Sequence, residues 1–268
     1  MKGYVINIRG GWALVKKSLF SYMSSRGFFW TLAISWMMGP LVYLFVWITA
    51  AGKGTVGGFD RNDFILYYIV LIVINQITFP TSTWTTGENI RNGTISTWLL
   101  RPVPVIAEAI ASDFAVKIVC LPFIIVLTVL LGLLLGISLQ IGATGILLFI
   151  PSLVMAWILR FTVTYIIAIL AFWTQRIDSL LSLMNTFTFI FAGQVAPTVI
   201  LPGILKQAAI LLPFRYMIGF PIEVLMGKLP PGETVAGLVI QFIWTTSVII
   251  IYKMIWNRGV KAYTAIGG

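Results

Sequence analysis

Long apolar runs, separated by short polar stretches that hold nearly all the charge, recur through this chain of 268 residues. A helix needs about 20 apolar residues to cross a hydrocarbon core of about 30 Å. Most of the runs reach that length, so lipid is the expected solvent and an all-α integral membrane protein the expected fold. Composition agrees: 59% of residues are hydrophobic and 10% charged, with a mean hydropathy of +0.99.

Placed on the sequence, the runs predict six transmembrane helices, near 28–51, 64–86, 114–137, 145–173, 179–200 and 234–256. Before the first, Ile8, Trp12, Val15, Leu19 and Met23 recur at helical spacing opposite Lys17, Ser21 and Ser24. That pattern predicts an amphipathic interfacial helix over 4–25. The run behind it is too long for a signal-peptide core and no small-residue cleavage site follows, so the start is expected to be uncleaved. The whole chain reads as a single transmembrane domain.

Prolines punctuate the pattern. Pro80, followed by Thr81, Ser82 and Thr83, predicts a kink in the second span whose freed carbonyls meet hydroxyls. A short helix carrying Glu108 and Asp113 is expected before the third span, with Lys117 at the membrane edge. The fourth run holds Pro151 and Arg160 and is longer than a perpendicular crossing needs, which predicts tilt or a break. Half of the chain's 12 prolines fall in 197–231, where no continuous helix survives. Its two apolar pieces, 204–212 and 217–226, predict a re-entrant helical hairpin over 201–231 that packs against the bundle.

The charge is lopsided, with 18 Lys plus Arg against 8 Asp plus Glu. A basic balance alone would suit a nucleic-acid partner, but these cations lie between apolar runs and form no single patch. Under six spans, Lys2, Arg9, Lys16, Lys17, Arg26, Arg91, Arg101, Lys117, Arg176, Lys253, Arg258 and Lys261 share one side. By the positive-inside rule both termini are cytoplasmic in a multi-pass plasma-membrane protein, surrounded by lipid and without nucleic acid. No histidine and one cysteine, Cys120, leave no zinc site, disulfide scaffold or histidine catalysis.

The polar stretch after the second span opens on Glu88-Asn89-Ile90-Arg91-Asn92-Gly93-Thr94 and closes on Leu99-Leu100-Arg101-Pro102-Val103. It resembles the first cytoplasmic loop of type-2 ABC exporter permeases, drug-resistance permeases among them. The likeness extends to the N-terminal helix, the six-span layout, Leu212-Pro213-Phe214-Arg215-Tyr216 with Pro221 and Gly227, and the terminal Tyr263-Thr264-Ala265-Ile266-Gly267-Gly268. It implies a permease that pairs with a second permease chain, identical or homologous, and with two ABC ATPase subunits. It also implies that the loop 87–104 carries the coupling contacts, through Glu88, Asn89, Ile90, Arg91, Asn92, Gly93, Thr94, Trp98 and Arg101.

The chain has no G-x-x-x-x-G-K-[ST] phosphate loop of its own. ATP and magnesium are therefore expected on the partner, and no cofactor or enzymatic activity in this chain. The substrate class the resemblance suggests is an amphiphile, a drug-like compound, a lipid or a peptide.

For a substrate pathway the sequence offers polar residues at membrane depth: Arg160, Tyr165, Asn185 and Gln194. A cation near a span's centre costs about 2.5–3.5 kcal/mol on insertion scales, so Arg160 requires a partner, water or an anionic substrate group. Structural pairing is an equal reading. Trp157, Phe161, Phe187, Phe189 and Phe191 would suit the walls of an amphiphile cavity or ordinary lipid-facing packing. A stand-alone secondary transporter or channel is the alternative; it would show intramembrane acids, and none is read deep in a span.

Overall fold

The computed structural model describes residues 8–23, 26–137 and 142–263, with side chains in the first long helix from residue 34 onward. Of the residues singled out above, Lys2, Ser24, the ends of the 4–25 segment and residues 264–268 lie outside these, as does the side chain of Arg26. Among the described residues all regular structure is helical. Five helices are long and apolar enough to cross a membrane.

The chain opens with α1 (Ile8–Met23) and α2 (Arg26–Ala51). α3 (Arg61–Thr78) starts on a capping box, in which Asp60 accepts from the Asp63 backbone N–H and Asp63 accepts in return. α3 then breaks over four residues and resumes as α4 (Thr83–Arg91). The expected kink at Pro80 is thus a full break, and its freed groups are met more richly than by hydroxyls alone. Thr83 Oγ1 donates to the Pro80 carbonyl at 3.3 Å. Lys117 donates to the Phe79 carbonyl at 3.1 Å, and Asp113 accepts the Thr81 backbone N–H at 3.0 Å.

A five-residue helix, α5 (Ile95–Leu99), follows the turn at Gly93. α6 (Val105–Leu134) is a single helix of 30 residues. The short separate helix expected before the third span is therefore the first part of α6, and Asp113 and Lys117 are buried against its neighbours. The reason is that the two charges pair at i,i+4 and face the α3–α4 break, so the helix need not stop to hydrate them. α7 (Ala143–Ile169) runs unbroken through Pro151, whose side faces outward, and closes in a 3-10 turn.

α8 (Ile177–Phe191) is shorter than the 179–200 span expected from the sequence. Gly193, at φ +84°, turns the chain. Tyr67 Oη donates to the Gly193 carbonyl at 2.8 Å, while Tyr68 Oη and Trp47 Nε1 both donate to the Val195 carbonyl, so two carbonyls of the turn beyond the helix are satisfied. The proline-rich stretch supplies α9 (Gly203–Leu211) and α10 (Gly219–Leu225), close to the two expected pieces. α11 (Pro231–Ala262) ends the described chain at 32 residues, longer at both ends than expected.

The main core gathers Phe64, Tyr67 and Leu71 of α3 with Leu159 of α7, Phe220 and Ile222 of α10 and Val248 of α11. α10 is buried along its whole length. It approaches α11 so closely that a Cβ on Gly237 would overlap the Phe220 ring. A second core joins Ile90 and Ile95 to Phe161, Tyr165 and Ile169 of α7. α1 lies along α6, bound by a Lys17–Glu108 ion pair and by Tyr22 to Ser112 at 2.8 Å, while Phe20 of α1 is 74% exposed.

Candidate functional site: a buried polar centre and a braced hairpin

Five charged side chains are buried among the described residues, and three of them meet at the α3–α4 break. Asp113 pairs with Lys117 and accepts from Trp157 Nε1 at 3.0 Å. Arg160, only 4% exposed, projects from α7 to the same place. Its Nη1 donates to Asn75 Oδ1 at 2.8 Å and Thr78 Oγ1 at 2.9 Å, and its guanidinium lies 5.1 Å from the centre of the Phe79 ring. Since Lys117 holds the carbonyl of that same Phe79, the two cations flank one residue.

Arg160 also lines a cavity of about 460 Å³. Trp36 and Pro40 of α2, Asn75 and Phe79 at the end of α3, and Asn185 and Phe189 of α8 share its walls, with Gln194 just beyond α8. Three of the four residues expected on a substrate path, Arg160, Asn185 and Gln194, therefore converge. Tyr165 does not: it is wholly buried between Phe161 and Tyr252, away from the cavity, and its hydroxyl has no partner among the described residues. Of the aromatic candidates only Phe189 reaches the cavity. Trp157 instead serves Asp113, while Phe187 and Phe191 pack on Phe214.

Sequence reasoning missed Asn75, Asp113 and Lys117 as members of this centre, although Asp113 is an acid buried within the long helix α6. A signal existed. Asp113 and Lys117 stand four apart within an apolar run, and Asn75 interrupts another, but nothing local says that both runs meet Arg160.

The second candidate is the hairpin of α4 and α5. Gly93, at φ +75°, makes the turn, a conformation that costs an L side chain about 1–2 kcal/mol. Ile90 and Ile95 point inward and Trp98 packs beside them. Arg91 is half-buried and bonded to Asp178 at 2.8 Å, so it braces the hairpin against α8. Tyr263 Oη donates to the Gly93 carbonyl at 3.1 Å and ties the turn to the end of α11. Glu88, Asn92, Thr94 and Arg101 are exposed, Asn89 partly so, and Leu100 is 88% exposed.

The family model described as ABC-2 family transporter protein matches residues 34–267, from α2 past the end of α11. The chain belongs to that family. It is a transmembrane transporter permease, and the family is the membrane component of transport, not itself catalytic. No curated protein matches this permease.

Proposed function

We propose that this permease forms the substrate path of an ATP-driven exporter together with a second permease chain, and that two separate ATPase subunits bind ATP and magnesium. The observation that carries the coupling is the hairpin: its inner side is buried and braced, while Glu88, Asn92, Arg101 and the apolar Leu100 face outward. An exposed leucine next to Arg101 in the chain suits a protein cleft better than open water, because apolar atoms anchor and charges set register.

The same proposal has six crossings. α8 begins beside the hairpin at Arg91–Asp178 and ends beside Tyr67 near the start of α3, which supports reading it with the 192–200 stretch as the sixth. α9 and α10 then dip in and return, and α1 lies in the interface with Phe20 toward lipid. The hairpin, α1 and the end of α11 are cytoplasmic, where Lys17, Arg91, Arg101, Arg176, Arg258 and Lys261 obey the positive-inside rule. The cavity around Arg160 lies on the path of an exported amphiphile.

Co-expression with an ATPase subunit tests this. The complex should assemble and hydrolyse ATP, whereas Trp98→Ala, or Glu88→Ala with Arg91→Ala, should lower assembly or turnover with membrane insertion intact. Unchanged assembly and turnover would remove the coupling role.

A further inference from the structure

The charge at the α3–α4 break does not balance. Arg160 and Lys117 are both buried, and Asp113 is the single buried acid that faces them. Lys117 uses that carboxylate directly, whereas every hydrogen bond from Arg160 to the protein runs through Nη1 to neutral acceptors. Nε and Nη2 have no acceptor among the described residues. A buried cation without a counter-ion is costly, and a ligand that brings the missing negative charge relieves that cost.

The cavity gives such a ligand a place. Its charged wall is Arg160, with the amides of Asn185 and Gln194 as further donors, and its remaining walls include Trp36, Pro40, Phe79 and Phe189. We infer that the cavity beside Arg160 binds amphiphiles with a single anionic group, a carboxylate, sulfonate or phosphate, whose apolar body lies among Trp36, Phe79 and Phe189. This rests on the export reading only in calling the ligand a substrate; the binding itself needs no ATPase.

The test uses the full chain in phosphatidylcholine nanodiscs and three matched probes: naphthylacetate, naphthylacetamide and naphthylethylamine. Equilibrium dialysis should show the anion bound about tenfold more tightly than the neutral amide, the scale of one charge-assisted hydrogen bond, and the cation most weakly. Arg160→Gln should abolish the preference. Because that variant removes a buried anchor, Asn75→Asp provides the second arm: it keeps the 2.8 Å contact but supplies a counter-ion, and should erase the preference with Arg160 in place. Equal binding of the three probes by the unaltered chain, or an anion preference that survives Asn75→Asp, would overturn the inference and leave the export proposal standing. Loss of ATPase coupling with the preference intact would do the reverse.

Phosphatidylglycerol added to the nanodiscs separates the source of the anion. Displacement of naphthylacetate identifies a lipid headgroup as an occupant, and no displacement identifies a water-borne anion; either supports the site.

Discussion

Arg160 and Arg215 are both buried arginines in one small permease, yet their surroundings differ in kind. Arg215 sits between α9 and α10 and meets Glu223 at 2.5 Å from Nη2 and 3.2 Å from Nε. Thr198 bonds to both partners. Arg160 has only neutral acceptors and an adjoining cavity. One arginine is built to hold a fold together; the other retains bonding capacity.

The largest expected effect breaks the closed pair. Glu223→Ala leaves Arg215 buried without its counter-ion and should cost about 3–5 kcal/mol in unfolding measurements, whereas replacing both partners with Leu and Met should cost far less. Asp113→Asn comes next. It removes the single carboxylate at the break and weakens the bonds to Lys117, Thr81 and Trp157, which should cost about 2 kcal/mol.

Arg160→Gln sharpens the contrast, because it deletes an excess charge. Its unfolding midpoint should move less than that of Glu223→Ala while transport or probe binding falls about tenfold. A stability loss as large as that of Glu223→Ala would make Arg160 another structural arginine. The smallest effect belongs to the hairpin brace: Arg91 and Asp178 should couple by about 0.5 kcal/mol in a double-mutant cycle, since the Asp178 side chain is 56% exposed.

Much of the helical layout was legible in the sequence because apolar length is a local property. The two short helices of the proline-rich stretch and the position of α2 followed from it directly. Helix ends were less legible where the chain beyond them relies on distant donors: past Phe191 the turn at Gly193 is held by Tyr67, Tyr68 and Trp47. Arg160, Asn185 and Gln194 were recognisable one by one as polar residues in apolar runs. Their company was not, since Asn75 and Asp113 come near Arg160 only through the packing of α3 against both α6 and α7. Tyr165 had the same polar credentials and went to a different core.

The four-residue break between α3 and α4 has a mechanical corollary. The rigid rod that ends in the hairpin does not continue to Asn75; its near end is held by Asp113, through the Thr81 amide and hydroxyl. α4 thus meets the helix of Arg160 in two ways, directly by packing on α7 and at its near end through a carboxylate of another helix. In this chain the interruption of the helix and the electrostatic centre are one object.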